Sequence, residues 1–282
     1  MNKYLFVLPL AWLLLLAACK PCTDPTNPEC ENYCDDPSSP ECFNYDPCLD
    51  KASVSAAFEI AEVVGYVNYD TIIYVPTDTS LEKNFVRFRA EQEADSYEWR
   101  IGSDTRVFTT REVSLFFQGP TQLSITLILK RSPATECFPD DDGVDTVSRR
   151  LVVVPREESA LIGKFEGATD QNPEERYVVE FFRYAYPQTP TIFQEVRLTG
   201  IHPGCNNVLE QVDAFSGHYG YRVFAFSGRG GFLEGGCFAR DGVARLNAAN
   251  DSVVIQFRKV ENQFPYGLID ETLFFRGARI TD

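Results

Sequence analysis

The sequence predicts an all-β protein in which an irregular, cysteine-rich segment precedes two antiparallel β domains. Apolar and polar residues alternate in short runs from about residue 52 onward, and no stretch keeps the period of an amphipathic helix. Before that point, prolines and cysteines replace the apolar residues that a folded core needs. An aromatic content of 13% argues against disorder, and a formal net charge of −15 argues against nucleic-acid binding.

Residues 1–18 have the pattern of an export signal. Lys3 supplies a positive charge, and the apolar run over residues 4–18 is too short to span a bilayer as a helix. The run ends in Leu16-Ala17-Ala18-Cys19, which resembles the lipobox of bacterial lipoproteins. The resemblance implies cleavage before Cys19 and acylation of that cysteine, including its sulfur. We therefore expect a lipid-anchored envelope protein at the outer membrane or cell surface, with its orientation left open.

Residues 19–50 are predicted to form an irregular acidic stalk. Cys22-Thr-Asp-Pro-Thr-Asn-Pro-Glu-Cys30 recurs twelve residues later as Cys34-Asp-Asp-Pro-Ser-Ser-Pro-Glu-Cys42, and proline at these positions excludes a continuous helix. Eight acids and one base favour a self-repelling spacer over a weak calcium-binding stalk. Acids close behind the acylated cysteine also loosely resemble the surface-export signal of some Bacteroidota lipoproteins.

The nine cysteines leave eight for pairing once Cys19 is acylated, and an exported protein lies in an oxidising compartment. Identical repeats suggest identical pairing, although many connectivities are possible. The predicted disulfides are Cys22–Cys30, Cys34–Cys42, Cys48–Cys137 and Cys205–Cys237. The third of these would tie the stalk to the first β domain.

Residues 52–155 are predicted to form an antiparallel β-sandwich with Trp99 in its core. The alternating runs lie at Val86–Ala90, Tyr97–Ile101, Val113–Phe117, Leu123–Leu129 and Leu151–Val154. Three segments, Phe85–Ala90, Ser96–Gly102 and Leu123–Leu129, resemble a polycystic-kidney-disease (PKD) domain. The resemblance implies an immunoglobulin-like module that spaces domains or binds proteins and glycans, with no catalytic residues.

Residues 160–282 are predicted to form a second antiparallel β domain, either a small barrel or a sandwich, with six or seven strands. The expected strands are Leu161–Gly167, Arg176–Phe182, Thr191–Thr199, Tyr219–Phe226, Phe238–Leu246, Ser252–Val260 and Thr272–Ile280. Gly163-x-Phe165 faintly resembles the Gly-x-Trp start of lipocalins. The resemblance implies that Arg276 or Arg279 covers the aromatic ring from the last strand.

Few residues suggest chemistry. Asp140, Asp142 and Asp145 are weak candidates for a structural calcium ion, but we favour a polar hairpin loop because a distal bidentate glutamate is lacking. His202 and His218 are interpreted as surface or structural residues, because neither has a second ligand at ligand spacing. We expect no cofactor, and the sequence contains no Gly-x-Ser-x-Gly motif.

These observations favour a non-catalytic binding or structural role toward glycans or envelope proteins. The alternative is a lipocalin-like carrier of a small apolar ligand, which needs a cavity of about 300 Å³ or more. A hydrolase is the least favoured hypothesis. A glycan binder needs exposed, coplanar aromatic rings, but the aromatic residues of the second domain are expected mostly in its core. These are Tyr184, Tyr186, Phe193, Tyr219, Tyr221 and Phe232.

Overall fold

The computed structural model shows an all-β protein with antiparallel sheets, as the sequence predicts. It describes residues 26–28, 30, 34, 36–40, 42–67, 71–201, 215–226, 237–263 and 267–281. The first eight strands are β1 (Phe58–Val67), β2 (Thr71–Pro76), β3 (Thr79–Leu81), β4 (Phe85–Ala90), β5 (Ser96–Ile101), β6 (Glu112–Phe116), β7 (Thr121–Lys130) and β8 (Val144–Val154). After a 3-10 turn at Arg156–Glu158 come β9 (Gly163–Thr169), β10 (Tyr177–Tyr184), β11 (Glu195–Thr199), β12 (Phe215–Tyr219), β13 (Val223–Phe226), β14 (Cys237–Leu246), β15 (Ser252–Gln263) and β16 (Gly267–Ile280). No helix within these described ranges is long and apolar enough to cross a membrane.

The stalk folds through turns, and its described residues form neither helix nor strand. Asp36 Oδ1 accepts hydrogen bonds from the hydroxyl of Ser38 at 2.7 Å and from its N–H at 2.9 Å. These bonds lower the pKa of Asp36. Asp46 Oδ1 accepts the N–H of Cys48 at 2.8 Å in the same way. Short acidic side chains therefore stabilise the turns that the prolines impose.

Disulfides hold this part of the chain together. The described residues up to Val54 form one compact unit with Ser132–Val144, the loop between β7 and β8. Two disulfides have both partners described: Cys34–Cys42, with Cα atoms 5.0 Å apart, and Cys48–Cys137, with Cα atoms 5.6 Å apart. Both are pairs that the sequence predicts. Cys30 is also disulfide-bonded, and its predicted partner Cys22 lies outside the described residues.

Strands β1–β8 form a sandwich of two four-stranded sheets, in the orders β2-β1-β4-β6 and β3-β8-β7-β5. Trp99 is fully buried between them, with its ring centroid 5.2 Å from that of Phe58 and 6.3 Å from that of Phe88. Its indole N–H donates to the carbonyl of Thr110 at 2.8 Å. The predicted core tryptophan is confirmed. One pair departs from the antiparallel pattern, because β3 runs parallel to β8.

Three sandwich strands, β1–β3, are missing from the runs identified in the sequence. In β1 the residues Phe58, Ile60 and Val64 alternate toward the core, but Glu62 occupies the same face and is only 1% exposed. A charged residue at a core-facing position breaks the apolar alternation that marks a half-buried strand. β3 has only three residues, which is too short for a periodic signal.

Strands β9–β16 form a closed barrel, and each strand pairs with its neighbours along the chain. The sequence left open a barrel or a sandwich, and the structure has the barrel. Closure occurs between β16 and β9, where Gly277 lies opposite Gly167. A Cβ on Gly167 would lie 2.6 Å from the Cα of Gly277, so the strands approach too closely there for a side chain.

Among the described residues the barrel has eight strands instead of six or seven, because the segment predicted as one strand over Tyr219–Phe226 is a hairpin. β12 ends at Tyr219 and β13 begins at Val223, and the N–H of Gly220 bonds to the carbonyl of Val223 at 2.8 Å. The apolar residues on both sides of the turn conceal it in the sequence. Gly220 is the one residue there that indicates a turn.

The sandwich and the barrel belong to one compact unit, Ser55–Arg131 with Asp145–Asp282. Val64 and Ile73, from the β1–β2 hairpin, pack against Val223 and Ala225 on the outside of the barrel. Gly65 allows this approach, because a Cβ there would lie 2.7 Å from Cδ2 of His218. The two β structures are therefore joined along β1, β12 and β13.

Glu62 lies in the seam between the sandwich and the barrel. Its Oε1 accepts hydrogen bonds from the Ser80 hydroxyl and the Leu81 N–H, both at 2.8 Å, and from the Asn84 amide at 2.9 Å. Its Oε2 accepts the N–H of Tyr221 at 2.7 Å. One buried carboxylate thus satisfies donors from both β structures.

Candidate functional site

The outer face of sheet β2-β1-β4-β6 carries an exposed line of apolar side chains. Tyr74, Val63, Phe85 and Phe116 stand opposite one another in register across the four strands, and we call them the aromatic row. Tyr74 is 39% exposed, Phe85 51% and Phe116 45%. Val86 and Phe88, which alternate with Phe85 along β4, are fully buried in the core. The row therefore lies on the sheet face that points away from the sandwich interior.

At one end of the row, the guanidinium of Arg87 stacks on the ring of Tyr74. Its guanidinium carbon lies 3.6 Å from the centroid of the Tyr74 ring, and its Nη2 is 2.7 Å from Glu59 Oε1. Nη1 lies 3.7 Å from Glu112 Oε2. Arg87 is 8% exposed, and its Nε has no hydrogen-bond partner among the described groups. A stacked, ion-paired guanidinium holds the tyrosine ring in one position, an effect worth about 1 kcal/mol.

At the other end of the row, the rings of Phe85 and Phe116 have centroids 5.1 Å apart and are tilted by 55°. The pair therefore presents an uneven apolar surface. With about 200 Å² per aromatic side chain, the three exposed rings leave roughly 300 Å² of apolar surface in contact with water. An exposed apolar patch of this size is often functional.

The barrel interior is filled by side chains. Its inward-facing residues form one apolar cluster, and the following members are each at most 4% exposed: Phe165, Val179, Phe181, Val196, Leu198, Phe224, Phe226, Ala244, Val253, Ile255, Phe257, Leu273 and Phe275. A lumen with room for a ligand would leave some of these side chains accessible. The described part of the lumen is instead a packed core, as in the smallest eight-stranded barrels.

One of the two arginines predicted to cover the Phe165 ring does so in the barrel. The guanidinium carbon of Arg279 lies 4.6 Å from the centroid of the Phe165 ring. The same group donates to the carbonyls of Ala160, of Ile162 at 2.9 Å and of Asn250 at 2.7 Å. Burial lowers the pKa of Arg279. Of the two arginines proposed from the sequence, Arg279 is the one over the ring, and Arg276 instead pairs with Asp170.

Three aspartates in the β7–β8 loop and at the start of β8 accept hydrogen bonds from the main chain. Asp142 Oδ1 accepts the N–H of Val144 at 3.0 Å, and Asp145 Oδ2 accepts that of Ala56 at 2.7 Å. Asp141, which the sequence did not single out, accepts the N–H of Val54 at 2.7 Å. Asp140 is exposed. Within the described chain, no three His, Cys, Asp or Glu side chains are placed to hold a metal ion.

The other predicted residues lie in different parts of the structure or outside the described residues. His218 is exposed and lies against Gly65. Tyr219 is buried in the barrel, and Phe193 and Tyr221 pack on the same core, as expected. The ring planes of Tyr184 and Tyr186 lie at 84° to each other, so these two rings are not coplanar. The remaining ones, Cys19, Cys22, His202, Cys205 and Phe232, lie outside the described residues, and Cys237 begins β14.

The aromatic row was not predicted, although Phe85 and Phe116 lie in segments that the sequence identifies. The row depends on the pairing register of four strands, two of which give no clear periodic signal. Comparison with protein families, curated proteins and solved structures finds no match to this chain.

Proposed function

We propose that this chain is a lipid-anchored protein of the bacterial cell envelope with a non-catalytic binding role, and that the aromatic row is its binding surface. The observation that carries the proposal is the exposure of three aromatic rings in one line across a sheet. Contiguous apolar surface on a folded protein is most often used for recognition. The filled barrel acts as a rigid support for the sandwich.

The proposed location rests on the leader. The lipobox-like Leu16-Ala17-Ala18-Cys19 supports acylation at Cys19, at the outer membrane or cell surface. The acidic stalk then separates the β structures from the lipid, since like charges keep such a segment extended. The PKD-like segments support a module that binds proteins or glycans.

The row favours a protein partner over a glycan. A sugar ring stacks on a flat, open aromatic face, whereas Phe85 and Phe116 are tilted by 55° and Tyr74 is stacked on Arg87. An uneven apolar surface is better matched by the side chains of another protein, which interdigitate with it.

Binding is tested with the mature protein in detergent micelles, applied to envelope extracts and to a glycan array. The double variant Phe85→Thr/Phe116→Thr removes the exposed rings and keeps β-branched residues in the strands. Val178→Thr, at an equally exposed position on the barrel, is the matched control. We expect the double variant to lose a protein partner that the control retains. Equal capture by all three proteins would contradict the proposal.

The anchor is tested separately by metabolic labelling with a palmitate analogue. Cys19→Ser is expected to abolish labelling and to release the protein from the membrane fraction. Retained labelling, or an unchanged membrane fraction, would overturn the proposed location without affecting the row.

A further inference from the structure

We propose that the free edge of β6 pairs with an extended segment of a partner protein, whose apolar side chains cover the edge ring of Phe116. This inference rests on the proposed binding function and names the geometry of the partner. Its basis is the hydrogen-bonding pattern of the edge strand together with the aromatic row beside it.

The pattern of main-chain bonds shows which groups of β6 face the open edge. The N–H of Ala90 bonds to the carbonyl of Arg111 at 3.0 Å, and the N–H of Phe117 to the carbonyl of Asn84 at 3.4 Å. Bonded and non-bonded residues alternate along an antiparallel pair, so the even-numbered residues of β6 direct their N–H and C=O groups away from β4. β4 is the partner of β6 in the sheet.

At one of these edge residues, Glu112, the main-chain carbonyl already accepts a hydrogen bond. The hydroxyl of Thr110 donates to the carbonyl of Glu112 at 2.6 Å. Ser114 and Phe116, both exposed, have no such contact within the described chain. Their main-chain groups form the open part of the edge, and a β-strand is the structure that offers donors and acceptors at the matching spacing.

The other described sheet edges differ from β6. Beside β5, Trp99 and Phe108 form a bridge, with the N–H of Trp99 bonded to the carbonyl of Phe108 at 2.9 Å. In β3, Ser80 and Leu81 are fully buried at the seam. β2 ends in Pro76, which cannot donate a main-chain hydrogen bond. Of these edges, β6 is the one next to two exposed rings that contact each other, Phe116 and Phe85. The exposed ring on the β2 edge, Tyr74, is instead stacked on Arg87.

The aromatic row determines the side chains that an added strand needs. A residue opposite Phe116 would have its Cβ about 5 Å from that of Phe116, on the same sheet face. An apolar side chain there would cover Phe116, whose ring contacts that of Phe85 on the next strand. The residue two positions along would face Ser114, where a small polar side chain fits. The expected ligand is therefore an extended segment with apolar and small polar residues on one face.

A partner protein is favoured over a second copy of this chain. Two copies would each carry a formal net charge of −15, and like charge opposes self-association. A five-residue edge also buries less than the roughly 1,200 Å² that a stable dimer needs. The same charge favours a partner segment that is neutral or basic.

The probe is a fluorescent synthetic peptide, Lys-Thr-Ser-Thr-Phe-Thr-Val-Lys, which has serine, phenylalanine and valine on one face. It is titrated into the mature protein in detergent micelles. Its matched control carries N-methyl groups on alternate residues, which remove the donors that face β6. Loss of one hydrogen bond costs about 1 kcal/mol, so we expect the control to bind at least about fivefold more weakly. Equal binding of the two peptides would overturn the inference.

Two variants test whether the peptide binds at the edge of β6. Ser114→Pro removes the outward N–H at an edge position where proline is tolerated, and Phe116→Thr removes the ring. Both are expected to weaken peptide binding at least about fivefold, with folding verified by circular dichroism. Unchanged peptide binding by Ser114→Pro would refute strand pairing at the edge of β6.

The double variant separates this inference from the proposed function. If Phe85→Thr/Phe116→Thr still abolishes partner capture, the proposed function survives that result. Self-association that Ser114→Pro abolishes would identify a second copy as the occupant and overturn the stated partner.

Discussion

The carboxylate of Glu62 accepts a hydrogen bond from the main-chain N–H of Tyr221, 159 residues further along the chain. This bond joins strand β1 of the sandwich to the β12–β13 turn of the barrel. Because Glu62 is 1% exposed, the charge depends on its hydrogen-bond donors for stabilisation. The aromatic row lies on the same sheet, so the seam fixes the row relative to the barrel.

Removal of the Glu62 carboxylate is expected to destabilise the protein strongly. Glu62→Ala removes the acceptor of four hydrogen bonds, two of them buried and two part-buried, which should lower the free energy of unfolding by about 3 kcal/mol or more. Glu62→Gln keeps one acceptor oxygen and places an amide N–H against a donor, so an intermediate loss is expected. Urea unfolding measures both variants, with the exposed Glu91→Ala as control. A loss below about 0.5 kcal/mol in Glu62→Ala would show that the seam does not depend on this carboxylate.

Gly65 is required by the close approach of the β1–β2 hairpin to the barrel. A Cβ at residue 65 would lie 2.7 Å from Cδ2 of His218, so Gly65→Ala should cost about 1–3 kcal/mol. His218→Ala removes the clashing ring, and the double variant should recover part of that loss. Gly119→Ala is the control, because no atom lies within 4 Å of the position its Cβ would take. Additive effects in the urea-unfolding cycle would show that the two residues do not interact.

These residues also explain what the sequence could and could not predict. Alternation and Trp99 were sufficient for the fold class and the sandwich core, because both are local signals. Glu62 concealed β1, since its role depends on donors distant in sequence. The Gly220 turn was concealed by apolar neighbours, so the hairpin was predicted as one strand. The aromatic row arises from the register of four strands, which no single segment encodes.

Arg279 should contribute more to stability than Arg276, although both lie on β16. Arg279→Lys loses the stacking on Phe165 and most of the donors to three carbonyls, at a cost of about 2–3 kcal/mol. Arg276→Lys disturbs an ion pair with Asp170 in which both side chains are exposed, and should change stability by less than about 0.5 kcal/mol. Thermal and urea unfolding would measure the difference. Equal losses would show that the contact with the first barrel strand is not a significant source of stability.

The protein is expected to lose stability at alkaline pH because Tyr177 is partly buried. Burial, with a smaller effect from Glu175, raises the pKa of Tyr177 well above its ordinary value of 10.0. The folded protein therefore keeps the proton at a pH where the unfolded chain loses it, so stability is complete below about pH 10 and falls as pH rises further. Tyr177→Phe removes this contribution, and the stability profile should be flatter between about pH 9 and pH 11.

At neutral pH the same variant should cost about 1 kcal/mol, because it loses the hydrogen bond from the Tyr177 hydroxyl to the carbonyl of Ile201 at 3.1 Å. Burial also raises the pKa of Tyr219, so some alkaline slope should remain. Tyr186→Phe, at a position that is 49% exposed, is the control and should keep the wild-type slope. An unchanged slope in Tyr177→Phe would show that Tyr177 does not cause the loss of stability at alkaline pH.

The Cys48–Cys137 disulfide should stabilise the protein more than the Cys34–Cys42 disulfide. Its partners are 89 residues apart in sequence, against 8 for the other pair, and on the chain-entropy view the longer loop gives about 4.6 kcal/mol against about 2.6 kcal/mol. The longer loop also contains strands β1–β7, so its closure restricts the unfolded sandwich directly. Replacement of both cysteines of each pair by serine, followed by urea unfolding, compares the two. A larger loss from Cys34→Ser/Cys42→Ser would indicate that the stalk turns, and not the closure of the sandwich loop, determine the stability of the chain.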